Sequence, residues 1–231
     1  MKQEIIRIDL EGVNCYLIRI SDGFILVDTG GHMILDKQFN NRRDQLEKEL
    51  KIAGCEPDTL KLVILTHGDI DHVGNAAFIR EKYGAKIAMH SGDVQLVENP
   101  VIEKMMESFH YKSLIYKVVF KLLNKIIKKV NQKMLDNFEK FKPDFYIDEG
   151  YSLLEYGIDA TVLHIPGHTA GSIGILTANG ELIAGDTFAN INKPDTAINA
   201  CDFKTLATSV ERLKAMDIKT IYPGHGKPFE M

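Results

Sequence analysis

The stretch that decides the reading is Leu62-Val63-Ile64-Leu65-Thr66-His67-Gly68-Asp69-Ile70-Asp71-His72. Its first four residues form a continuous apolar run, which predicts a buried strand over residues 62–65. The run passes straight into a polar loop where His67, Asp69, Asp71 and His72 place four metal-competent side chains within six residues. Residues two apart in an extended loop share a side, whereas the adjacent Asp71 and His72 point apart. One short loop can therefore feed two neighbouring cations. A polar turn in which Asp71 caps a helix over residues 74–83 would use the same residues, and the loop alone does not separate the two readings.

Three later segments repeat the arrangement. Pro166-Gly167-His168-Thr169-Ala170-Gly171-Ser172 follows a strand ending near residue 165, Gly185-Asp186-Thr187 follows one at 182–184, and Pro223-Gly224-His225-Gly226 follows one at 220–222. Each puts an imidazole or a carboxylate just beyond a strand, among glycines that let backbones approach closely. Ligands gather where strand ends meet at one edge of a sheet. Four strand ends delivering His and Asp to one edge point to a metal centre.

Outward from these segments, alternation predicts strands at 4–9 and 14–20, a buried strand at 24–27, and further strands at 86–89, 145–147, 151–154, 160–165 and 172–176. Helices are expected at 41–53 and 203–216, and residues 93–142 read as wholly helical. No repeat or low-complexity tract interrupts the 231 residues. A single domain over 1–231 with a helical insertion at 93–142 is the simplest organisation.

Composition narrows the class. With 45% hydrophobic and 26% charged residues the chain is neither disordered nor collagen-like. A net charge of −4 argues against a nucleic-acid partner. Cys15, Cys55 and Cys201 are scattered and read as reduced packing thiols of a cytoplasmic protein. The N-terminus carries no apolar signal core. The most apolar stretch, 114–130, is broken by five lysines, so no transmembrane segment is expected.

Taken in order, Asp28-Thr29-Gly30, the His67 loop, the PGHTxGS and GDT pieces and the closing PGHG make the chain resemble the metallo-β-lactamase superfamily. Within it, the chain is similar to the hydrolases of the glyoxalase II and N-acyl homoserine lactone lactonase type. The resemblance implies an αββα sandwich, of α+β or α/β class, with a metal site at one edge. It implies one ion held by His67, Asp69 and His168, and a second held by Asp71, His72 and His225, with Asp186 bridging them. It also implies that Asp28 steadies a ligating imidazole, although Asp28 before Thr29-Gly30 would serve equally as a turn former. The chain departs from the family at Asp69, where most members have histidine. Two divalent ions, three carboxylates and one hydroxide then carry no net charge, one positive unit fewer than the usual set. The extra oxygen donor favours iron or manganese relative to zinc, while family usage points to two zinc ions.

The implied activity is hydrolysis of a small carboxyl ester, lactone or thioester by a metal-bridging hydroxide, with Asp71 as the catalytic proton carrier. No GxSxG nucleophile motif is present. Two other readings stand beside it. One is a diiron oxygen- or nitric-oxide-reducing protein with a separate electron donor, since flavodiiron proteins resemble this site in having a carboxylate at the Asp69 position. The other is a phosphodiester hydrolase. Among the remaining histidines, His32 reads as a rim residue, and His90 and His164 as structural.

Between residues 108 and 135 there are seven lysines and no acid, with apolar residues recurring every fourth position. This predicts a long amphipathic helix. It could cover the sandwich or pair across a homodimer, form a lid over the cleft, or touch a membrane surface. From a lid, Tyr111 and Tyr116 could polarise a carbonyl of a small-molecule substrate.

Overall fold

Residue alternation along the strands assigns the layers. The computed structural model describes residues 4–34, 36–108 and 110–231. Along the chain the strands are β1 (Glu4–Asp9), β2 (Asn14–Ile20), β3 (Gly23–Val27), β4 (Leu60–Ile64), β5 (Lys86–Met89), β6 (His110–Tyr111), β7 (Phe145–Tyr146), β8 (Ala160–His164), β9 (Ile173–Thr177), β10 (Glu181–Asn190), β11 (Asp195–Thr196), β12 (Asn199–Ala200), β13 (Thr220–Gly226) and β14 (Phe229–Glu230). The helices are α1 (Arg43–Ile52), α2 (Ile70–Val73), α3 (Ala76–Tyr83), α4 (Val94–Glu98), α5 (Ile102–Ser108), α6 (Leu114–Leu122), α7 (Asn124–Asp136) and α8 (Phe203–Lys214).

One sheet has the order β1-β2-β3-β4-β5-β7 and the other β14-β13-β10-β9-β8, while β6 and β12 form a separate two-stranded ribbon. Tyr16, Ile18, Ile25, Val27, Leu62 and Ile64 point from the first sheet to meet Val162, Ile173, Ile175 and Ile183 of the second. Their neighbours Leu17, Leu26, Val63 and Leu65 face the opposite way and pack under Leu46, Leu50, Ile79 and Met134 of the helices. On the outer face of the second sheet, Leu163, Leu182 and Ile221 pack under Leu206, Val210 and Leu213 of α8. The result is the four-layer αββα sandwich, in which period-two strands serve two cores at once.

Several sequence expectations need correction. Residues 93–142 are not wholly helical, because β6 pairs Tyr111 with Asn199 inside that stretch. The long amphipathic helix is two helices, since Leu123 adopts φ −88° and ψ 3°, outside the helical region. The break lets α7 turn so that Ile127 and Met134 are buried. Residues 151–154 do not form a strand. Only Ser152 bridges to Thr161, and residues 154–156 make one 3-10 turn ended by Gly157 at φ 82°. Conversely, β10 and β13 run on through Asp186 and His225, with register shifts between their paired residues.

Candidate metal centre

The four segments singled out in the sequence meet at one end of the two sheets. From β4 the chain passes through Thr66, whose N–H and hydroxyl both donate to the Asp28 carboxylate at 2.8 Å. Because that hydroxyl proton is committed to Asp28, the Thr66 oxygen can only accept from His67 Nδ1, 2.9 Å away. His67 therefore keeps its proton on Nδ1 and turns a bare Nε2 inward.

The other three imidazoles are fixed in the same sense. His72 Nδ1 lies 3.0 Å from Asp28 Oδ2 and His168 Nδ1 lies 3.0 Å from the Asn199 carbonyl, while His225 Nδ1 donates to the Gly12 carbonyl. Every Nδ1 is thus occupied by an acceptor, and every Nε2 faces the same small volume. Bonds of this kind set the tautomer and orientation of a metal-binding imidazole.

Within that volume the inward atoms form two clusters. His67, Asp69 and His168 make one, with Asp69 Oδ2 3.7 Å from His67 Nε2 and 3.2 Å from His168 Nε2. Asp71, His72 and His225 make the other, with Asp71 Oδ2 3.9 Å from His72 Nε2 and 3.5 Å from His225 Nε2. Asp186 lies between them. Its Oδ1 is 3.2 Å from His72 Nε2, and its Oδ2 is 3.2 Å from His225 and 3.8 Å from His168. Ligands held tetrahedrally around one ion sit about 3.4 Å apart, so both clusters have the right size. The His67 and His72 Nε2 atoms and Asp186 Oδ1 are buried without a hydrogen bond of acceptable angle among the described residues. A cation would satisfy all three.

The electrostatics point the same way. Burial opposes charge on His168, but its bond to Asp69 and the charges of Asp69 and Asp186 together outweigh it and push the imidazole up to about 9. His225 also rises to about 9 against its burial, through Asp186 and Asp71. His67, where burial wins, is lowered to about 4. Burial also works against charge on Asp186, but His225 and His72 hold it well below the usual range, whereas burial raises Asp71. Three carboxylates packed together demand positive charge, from protons or from metal ions.

Close backbone contact completes the site. A Cβ on Gly224 would run into Asp186 Oδ1 and would come within 2.9 Å of His72 Cε1. A Cβ on Gly185, at φ 48°, would lie 2.5 Å from Thr66 Oγ1. Both glycines belong to the motifs read from the sequence.

Three anchoring residues escaped the sequence reading. Asp93 accepts from Gly68 N–H at 2.9 Å, the Thr169 hydroxyl at 2.6 Å and Gly171 N–H at 2.7 Å, so it ties the His67 loop to the His168 loop. Its signal was present, an Asp just past β5, but it falls at the edge of the stretch read as helical. Asn14 donates to the Pro223 and Gly226 carbonyls at 2.8 and 2.7 Å, and the Tyr16 hydroxyl donates to Pro223 at 2.6 Å. Two polar residues on one face of a buried strand were the clue.

A cavity of about 1160 Å³ opens above Asp69, Asp71, Asp186 and His225. Tyr111 and His110 line it, and Tyr111 stacks on Phe120 with ring centres 4.0 Å apart. Tyr116 is exposed and lies outside the lining. His32 is no rim residue, being buried and stacked on Phe39. His90 and His164 stack together beside Asp148. His90 Nδ1 accepts from Gly92 N–H, so its Nε2 carries the proton facing Asp148 and has no lone pair for a metal. Asp71 lies inside α2, so the helix-capping alternative fails. Cys15, Cys55 and Cys201 form no disulfide among the described residues, and the first two are buried.

Known proteins are similar to this chain in sequence or in fold. Hydroxyacylglutathione hydrolase GloC of Haemophilus influenzae is 27% identical over 98% of this chain and 91% of its own. N-acyl homoserine lactonase of Bacillus sp is 24% identical over 91% of this chain and 80% of its own. A metallo-beta-lactamase family protein of Thermus thermophilus superposes with a TM-score of 0.71 at 21% identity, covering 99% of this chain and 74% of that one. Another solved structure, in a di-iron-bound form, superposes with a TM-score of 0.60 at 20% identity, covering 98% and 94% of the two chains. The sequence model of the metallo-beta-lactamase superfamily matches residues 8–225. With that match and two His/Asp clusters at the sheet ends, the chain belongs to the metallo-β-lactamase superfamily and is a metal-dependent hydrolase.

Proposed function

We propose that the protein hydrolyses a small carboxyl ester, lactone or thioester with two divalent ions. The observation that carries this reading is the ring of four imidazoles, each locked with Nε2 inward around three carboxylates. His67, Asp69 and His168 would hold one ion, Asp71, His72 and His225 the other, with Asp186 between. Asp69 lies close enough to both imidazoles of its cluster to bind directly, without an intervening water. The ions, assigned as zinc, supply an activated water and positive charge for the oxygen developing on the substrate carbonyl.

The chain's own residues do the rest. Asp71 Oδ2 faces His72 and His225, which leaves the other carboxylate oxygen to take up a proton and pass it to the leaving group. Burial raises the Tyr111 phenol, which stays protonated on the cavity wall and can donate to a substrate carbonyl. Residues 93–142 act as an insertion within one domain, forming the wall that selects the substrate. The names of two relatives, an acylglutathione hydrolase and an acyl homoserine lactonase, agree with acyl substrates.

Metal analysis of the purified chain, together with assays on a thioester and a lactone, tests the proposal. Two zinc ions per chain and turnover of either substrate support it. Iron with charge-transfer absorption, and no hydrolysis, would replace it with the diiron redox reading.

A further inference from the structure

Helix α6 stands out because its apolar face is turned to the outside. Leu114, Ile115 and Leu122 are 76%, 75% and 79% exposed, and Val118 and Val119 complete the stripe. At 100° per residue these five side chains cover an arc of about 140°. The helix is held from behind, where Phe120 stacks on Tyr111 of β6. Lys117 and Lys121, along one edge of the stripe, line the cavity mouth. On the same mouth, Ile34, Ile191 and Ile198 are exposed and also line the cavity. None of the five stripe residues lines the cavity, so the stripe and this rim are two separate exposed apolar areas. An apolar stripe of this kind facing water calls for a partner.

Charge selects the partner. Residues 108–135 carry seven lysines and no acid. Lys112 pairs with Asp195 and Lys128 with Glu103, while Lys117, Lys121, Lys125 and Lys129 make no ion pair among the described residues. A second copy placed on a two-fold axis over α6 would set these lysines against one another. An anionic lipid surface matches both features: the apolar side chains enter the boundary between headgroups and acyl chains, and the lysines meet lipid phosphates.

We propose that the outward apolar stripe of α6 docks the protein on an anionic membrane surface. No helix among the described residues is long and apolar enough to cross a membrane, so this is contact at the surface.

Co-sedimentation of the full chain with vesicles tests the inference without any substrate, so its outcome is independent of the proposed reaction. Binding is expected to mixed phosphatidylglycerol and phosphatidylcholine vesicles, to be weak on pure phosphatidylcholine, and to fall with added salt. Leu114→Gln with Leu122→Gln should weaken binding at least tenfold, as about four buried methylenes per leucine are lost. Lys125→Glu with Lys129→Glu, both outside the cavity lining, should weaken it about fivefold or more per charge. Metal content and circular dichroism, unchanged in both variants, would show that the fold is kept. Equal binding to neutral and anionic vesicles, or variants that bind like the parent, would overturn the proposal. So would a stable dimer in light scattering that the leucine variant dissolves.

Discussion

Asp28 Oδ2 lies 3.0 Å from His72 Nδ1, and the same carboxylate receives the N–H and hydroxyl of Thr66. Asp28 is also in the left-handed region at φ 61°, so it shapes the turn and steadies an imidazole at once. Through Thr66 it also fixes the tautomer of His67. Asp28→Ala should lower metal affinity about 10- to 100-fold, with the second ion lost first in a chelator titration. Retention of both ions at parental affinity would show that the carboxylate is dispensable.

Asp93→Ala removes the acceptor for three donors that join two loops. Two of these are backbone N–H groups that would be left buried. At roughly 1–3 kcal/mol for an unsatisfied buried group, a loss of about 3 kcal/mol is expected in urea unfolding. Occupancy of the cluster containing His168 should fall with it.

Asp69→His restores the side chain more common in the family and should keep both metal binding and hydrolysis, within about tenfold in rate, if Asp69 is a directly bound ligand that histidine can replace. Complete loss of metal would show that the site is built around a carboxylate. His168→Ala and Asp186→Ala should each abolish turnover of a thioester or lactone; near-native rates would remove the basis of the centre.

Removal of the ions should destabilise the protein, because four imidazoles and three carboxylates would be left facing one another. Each ion present at a thousand times its dissociation constant contributes about 4 kcal/mol. A chelator should therefore lower the melting temperature, and added zinc should restore it.

Asp36 supplies a pH dependence remote from the metal site. Burial works against its charge, but Asn40 N–H, Gln38 N–H and the Arg42 guanidinium prevail and hold the carboxyl below its usual range. Its folded value lies beneath the unfolded one of about 3.9. The stabilisation is therefore complete above about pH 4 and is lost as pH falls through the folded value. Asp36→Asn should lower the urea midpoint at pH 7, and the gap to the parent should narrow as pH falls below about 4.

Much of the sandwich was legible because β2 and β3 are apolar runs whose alternate residues face two cores, and because His67, His168, Asp186 and His225 each follow an apolar run. The misses have local causes. Residues 151–154 alternate like a strand, yet Gly157 turns the chain before a ladder can form. The helix over residues 114–135 has unbroken periodicity, and its break at Leu123 serves the burial of Ile127 and Met134, a demand made by distant residues. Asp93, Asn14 and Tyr16 act through partners far along the chain: Asp93 meets Thr169 across 76 positions, and Asn14 and Tyr16 meet Pro223 across 209 and 207. Their near neighbours in sequence reveal nothing of these bonds.

The ligand-bearing segments come from both sheets, with His67, Asp69, Asp71 and His72 beyond β4, and Asp186 and His225 on β10 and β13. Neither half of the chain contains a finished coordination sphere, so metal capture reports the last assembly event of folding. In refolding with cobalt(II), the visible absorption of the ion should appear only after both sheets have closed face to face, and a fragment carrying the first sheet alone should stay colourless.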